Sequence, residues 1–95
     1  MSKLTSGMLA RSLAGHDKGK LYVVTAVDGD FVYLADGRIR TSLNPKRKKR
    51  MHVQPNYTIP ELIRARQESG HAVQDEDIQS TLREYQLKVI KTKEV

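Results

Sequence analysis

Five consecutive cations, Lys46-Arg47-Lys48-Lys49-Arg50, are the densest chemistry in this chain. Adjacent like charges repel, so the run predicts a solvated, mobile loop, entered through the stiff Pro45. A polyanion would offset the repulsion, and phosphate is the matching group. On this reading, neutral replacements throughout the run cost binding and leave stability unchanged or slightly raised. The segment Gly15-x-x-Lys18-Gly19-Lys20 adds two lysines around a turn. Glycine there leaves backbone N–H groups unblocked for close approach to a phosphate. The plainer role is a tight turn that needs permissive backbone angles. Arg38 and Arg40 stand two apart and share one face if their segment is a strand. The candidate anion-binding set is therefore Lys18, Gly19, Lys20, Arg38, Arg40, Lys46, Arg47, Lys48, Lys49 and Arg50. A soluble connector and a localisation signal are the competing readings of such a run.

Other chemistries find little support. His16, His52 and His71 are far apart, with no pair at helical spacing and no Cys in the chain. That leaves no metal site, no disulfide framework and no thiol catalysis to expect. Asp28 and Asp36 precede glycines and read as turn residues, and Asp75-Glu76-Asp77 reads as a helix start. No nucleophile is paired with a base, and no glycine loop fits a nucleotidase. The expectation is a non-catalytic protein without a cofactor. Tyr22, Phe31, Tyr33 and Tyr57 have faces on which unpaired bases could stack, but packing accounts for most of them equally well. The charge is uneven. Residues 1–55 carry eleven Lys/Arg against four Asp/Glu, a net +7, whereas residues 56–95 carry six against seven. One basic half beside a near-neutral half points to a localised polyanion-binding surface. No apolar stretch approaches the roughly 20 residues of a membrane span, and the N-terminal residues do not read as a secretion signal.

The elements that must position these groups change period midway. In the first half, residues 8–13, 21–27, 30–35, 38–43 and 51–54 predict five short strands. The second of these, Leu21-Tyr22-Val23-Val24-Thr25-Ala26-Val27, is rich in β-branched and aromatic residues. Asp28-Gly29 and Asp36-Gly37 are hairpin signatures. Pro55 ends the last strand. Five strands in about fifty residues predict a small barrel whose closure removes exposed edges. In the second half, Thr58 is a candidate cap for a helix entered at Pro60-Glu61 and ended by Gly70. A second helix is expected from about Asp75, with Ile78, Leu82 and Tyr85 on one face and a frayed tail over residues 88–95. The division is thus 1–55, a β-barrel with a basic loop, and 56–95, a helical extension packed on it.

The segment from Met8 through Gly15-His16-Asp17-Lys18-Gly19-Lys20 to Val27 places an apolar strand, a Gly-Lys turn and a second apolar strand in succession. In this it resembles the KOW motif of ribosomal and transcription-elongation proteins. Through Asp36-Gly37 and the basic run it is most similar to the short KOW-domain RNA-binding proteins related to eukaryotic and archaeal large-subunit ribosomal proteins. The resemblance covers about residues 7–55. It implies an SH3-like form for the five-stranded barrel, so that with the two short C-terminal α-helices read above the expected fold is mainly β. It also implies cytoplasmic binding of structured RNA, ribosomal RNA or the ribosome foremost. The C-terminal helices are expected to meet the barrel or a protein neighbour, with no membrane contact and a monomer when free. A transcription-elongation role and a protein-interaction module are the alternatives.

Overall fold

The computed structural model describes the backbone of residues 3–94 and the side chains of residues 3–88. Five strands, β1 (Leu9–Ser12), β2 (Leu21–Asp28), β3 (Phe31–Ala35), β4 (Lys46–Lys49) and β5 (Val53–Asn56), precede two helices, α1 (Glu61–Glu68) and α2 (Asp75–Glu94). A one-turn 3-10 helix, Arg50–His52, joins β4 to β5. The strands form one antiparallel sheet in the order β4-β3-β2-β1-β5. Its edge strands β4 and β5 are not hydrogen-bonded to each other, so the sheet is not a closed barrel.

The sheet must nevertheless curl. Edges of a flat five-stranded sheet stand about 19 Å apart, at roughly 4.8 Å per strand. Three linking residues span no more than about 14 Å between flanking Cα atoms. The two edges therefore approach each other where β4 passes into β5.

Strand alternation explains the continuous apolar run of β2. Tyr22 and Val24 join Ala10, Val32, Leu34, Val53, Leu4 and Met8 in one core. Leu21 and Val23 point the other way and join Leu9, Ala35, Ile78 and Leu82, so that α2 covers part of the opposite face. A bulge at Thr25 breaks the β2–β3 register between Val24 and Ala26. It turns Val27 rather than Ala26 toward the core, opposite Val32.

The fourth strand and the basic loop exchange places relative to the sequence expectation. Residues 38–43 form no strand, whereas Lys46–Lys49 do. The buried Asp36 carboxylate accepts the backbone N–H groups of Arg38 and Arg40, each at 2.9 Å. Asp36 N–H and Gly37 N–H in turn donate to the Arg40 carbonyl. These local bonds consume the groups a ladder needs. Asp36-Gly37 is accordingly a turn within a loop, and Arg38 and Arg40 do not share a strand face. Asp28-Gly29 does serve a hairpin, but the two-residue loop is Gly29-Asp30, with the positive φ of 58° at Gly29.

Gly37 also sets the seat of α2. Its φ is +81°, and an added Cβ would stand 2.5 Å from the Asp75 carbonyl oxygen and 2.9 Å from Gln79 Cγ. Gln79 Nε2 donates to the Gly37 carbonyl at 2.6 Å, and Ser42 N–H donates to Asp75 Oδ1 at 2.8 Å. Helix α1 begins after Pro60 without a side-chain cap, so Thr58 does not cap it. Its end at Gly70 is as expected: φ is +77°, and His71 N–H reaches back to the Arg66 carbonyl. Helix α2 has 20 residues, longer than the short helix expected, and its backbone continues past residue 88 to Glu94; Val95 lies outside the described residues. No helix among the described residues is long and apolar enough to cross a membrane.

Candidate nucleic-acid interface

Alternation along β4 sorts the basic run into two kinds of cation. Lys46 and Lys48 lie opposite Leu34 and Val32, on the core side of the sheet. Arg47 and Lys49 lie opposite Tyr33 and Phe31, on the outer side, and both are exposed. The inward pair reaches past the core to the turn between β1 and β2. Lys48 Nζ meets Asp17 Oδ1 at 2.8 Å and donates to the Ala14 carbonyl at 2.8 Å. Lys46 Nζ meets Asp17 Oδ2 at 3.0 Å.

Asp17 is the hub of this arrangement. Its carboxylate is only 10% exposed and also accepts Tyr22 OH at 2.7 Å and Ser12 Oγ at 2.8 Å. Burial by itself raises the Asp17 pKa, but hydrogen bonds from Lys48, Tyr22, Lys46 and Ser12 outweigh it and hold the carboxyl well below its usual range. Burial, followed by the Asp17 bond and charge, pushes the Tyr22 phenol well above its usual value. The basic run is therefore not a mobile loop. Two of its five cations share the Asp17 carboxylate, whose single charge offsets one of them, and they tie edge strand β4 to the β1–β2 turn. Lysines on an edge strand also guard it against pairing with another chain.

The Gly-Lys turn is likewise more structural than its composition suggests. Lys18 N–H donates to the Gly15 carbonyl, Gly19 N–H to the Ser12 carbonyl and Lys20 N–H to the Asp17 carbonyl, at 3.2, 2.8 and 2.9 Å. These backbone donors are spent within the turn, so the expected approach of the Gly19 backbone to a phosphate does not hold. Gly19 supplies a φ of +91° in open space. Lys20 pairs with Asp36 at 2.6 Å and lies 5.4 Å from the centre of the Tyr22 ring. Burial raises the Asp36 pKa, but the Lys20 bond and the two backbone donors more than compensate and hold it below the usual range. Lys18 projects into solvent.

Six of the ten expected residues fall into two groups rather than one patch. Gly19, Lys20 and Arg38 line a groove with Ile39 and with Gln79 and Arg83 of α2. Arg47, Lys48 and Lys49 line a hollow with Gly15, Phe31 and His52. Arg50 clamps the β2–β3 hairpin, its N–H on the Asp30 carbonyl at 2.8 Å and Nη1 on the Gly29 carbonyl at 3.3 Å. Among the described residues, Lys18, Arg38, Arg40, Arg47, Lys49 and Arg50 make no ion pair with a carboxylate.

Phe31 borders the hollow that Arg47 and Lys49 line. The Arg47 guanidinium lies 3.6 Å from the centre of its ring. Phe31 and Tyr33 are half-buried on the outer face, beyond the part that α2 covers. Sequence reasoning paired these two aromatics on one strand face but missed the arginine stacked on Phe31. The signal was the alternation of residues 46–49 once read as a strand. It also missed Asp17 as a hub, and Arg83 beside the groove, since a single acid in a turn and a lone cation on a helix carry no distinctive pattern.

No protein-family model matches the sequence, and no curated protein matches it.

Proposed function

We propose that this protein binds structured RNA without catalysing a reaction, as a ribosomal or ribosome-associated component of the cytoplasm. The observation that carries the proposal is the set of cations left without a carboxylate partner among the described residues. Lys18, Arg38, Arg40, Arg47, Lys49 and Arg50 all lie in the basic half of the chain. A protein need not leave so many cations unpaired for solubility. A phosphate backbone supplies the missing charge and yields affinity by releasing its condensed counterions. Contacts of this kind position a protein on RNA shape and read little sequence.

The KOW resemblance of residues 7–55 supports RNA as the polyanion and the ribosome as its setting. The curl of the sheet, whose consecutive edge strands are joined by one 3-10 turn, supports reading it as an SH3-like barrel. The test is binding of a structured ribosomal RNA fragment across a salt series. Neutralising four to six phosphates predicts a log–log slope of roughly −3 to −5. A slope near zero would refute the electrostatic mode. Sedimentation of the tagged protein with ribosomal particles, rather than with RNA polymerase, separates the ribosomal from the transcriptional setting.

A further inference from the structure

Two cations of the basic half lie against aromatic rings, Lys20 at 5.4 Å from the centre of Tyr22 and Arg47 much closer on Phe31. The Arg47 guanidinium rests 3.6 Å from the centre of the Phe31 ring, and Phe31 is held in strand β3 next to Tyr33. At that distance the ring covers one side of the guanidinium, while Arg47 as a whole is exposed. Its neighbours Lys46 and Lys48 are paired with Asp17, whereas Arg47 and Lys49 have no carboxylate partner among the described residues. A planar cation held against an aromatic ring can stack a nucleobase on its free plane and donate to phosphate from its edge.

The surrounding charges give the path a direction. Asp28 stands opposite Phe31 on the β2 side and repels phosphate there. On the other side, Phe31, Arg47, Lys48, Lys49, His52 and Gly15 surround the hollow. Asp30 borders the neighbouring hollow with Phe31, Lys49 and Arg50, so an RNA strand would run on the β4 side toward Arg47 and His52, where no acid among the described residues lines the surface.

We infer that Arg47, stacked on Phe31, is the docking point for one unpaired nucleobase of the bound RNA. This deepens the RNA-binding reading and rests on it. Phe31 acts as a positioning residue that keeps the Arg47 plane open to the base. Electrostatics alone favour duplex, whose charge density is higher, so the contribution of a base is separable from that of charge.

The experiment uses the full chain and two synthetic RNA hairpins of one sequence, each with an internal bulge. In one the bulged nucleotides keep their bases; in the other they are abasic, with every phosphate retained. The parent protein should bind the natural bulge roughly five- to tenfold more tightly, the lower range of base stacking. Arg47→Lys keeps the charge and Phe31→Leu keeps the charge and the apolar contact. Both should bring that ratio close to one while the salt slope stays as in the parent. Equal affinity of the parent for the two hairpins would overturn the inference and leave the electrostatic reading intact. So would a ratio that survives Arg47→Lys, a surface change that does not threaten the fold. Failure to bind either hairpin at low salt would overturn both.

Discussion

Replacing Lys48 by methionine should destabilise the protein, although the change removes one of five adjacent like charges. The Lys48 side chain is 9% exposed, and its ammonium donates to Asp17 and to the Ala14 carbonyl, each at 2.8 Å. Methionine keeps the aliphatic stem and loses both bonds. A hydrogen bond to a charged group contributes about 1.5–3 kcal/mol, and breaking a buried ion pair costs about 3–5 kcal/mol. Asp17 keeps Lys46, Tyr22 and Ser12, so the loss falls near the lower end, about 2–3 kcal/mol. Relief of repulsion works in the opposite direction but amounts to no more than about 0.5 kcal/mol per exposed pair. The buried pair wins. In a domain of this size the melting temperature should fall by roughly 10–20 °C. Lys49→Met, one residue away and outward, should stay within about 0.5 kcal/mol of the parent. The assay is thermal and urea unfolding of both variants, followed by a cycle with Asp17→Asn. Because the two residues touch, their effects should fall short of additive by about 1 kcal/mol or more. Equal melting temperatures for Lys48→Met and Lys49→Met, or strict additivity with Asp17→Asn, would refute the reasoning. The same logic reverses the expectation from sequence for the whole run: neutral replacement of Lys46 to Arg50 should lower stability, because two of those cations hold the fold.

The pH dependence follows from the same hub. Asp17 and Asp36 have folded-state pKa values lowered below those of the unfolded chain, so their stabilisation is complete above about pH 4 and is lost as pH falls below it. Urea midpoints measured from pH 5 down to 2 should drop steeply for the parent and less steeply for Asp17→Asn. Tyr22 has a raised folded-state pKa, so its contribution is complete below about pH 10 and is lost as pH rises beyond it; Tyr22→Phe should flatten the alkaline limb of the same curve. Gly37→Ala should cost more than Gly19→Ala in a denaturant titration. Both carry positive φ, a strain of about 1–3 kcal/mol, but only at Gly37 does the new Cβ meet the backbone of α2. In RNA binding, Lys49→Gln and Arg38→Gln should each make the salt slope shallower by about one, whereas Lys46→Gln should act mainly on melting temperature.

The local elements of this protein are written in its sequence. β-branched and aromatic alternation places β2 and β3 within a residue or so of where they occur. Gly29 and Gly70 mark a turn and a helix end because no other residue adopts their positive φ as cheaply. The surplus of cations in residues 1–55 is a matter of composition alone. What each cation does is not. Five adjacent positive charges read as a solvated loop as long as no distant carboxylate is known to meet them. Asp17 lies about thirty residues earlier, and only folding of the sheet brings it to Lys46 and Lys48. Once β4 is a strand, its period of two divides the run, sending alternate cations inward to Asp17 and outward to Phe31 and solvent. Residues 38–43 mislead for the converse reason. Their propensity suits a strand, but Asp36 takes their amides and Asp75 takes that of Ser42, so local and long-range bonds outcompete a ladder. Propensity and charge are properties of short windows and survive in the sequence. Partner choice among charged groups depends on which distant segments the sheet brings together, and that was decided only by the tertiary fold.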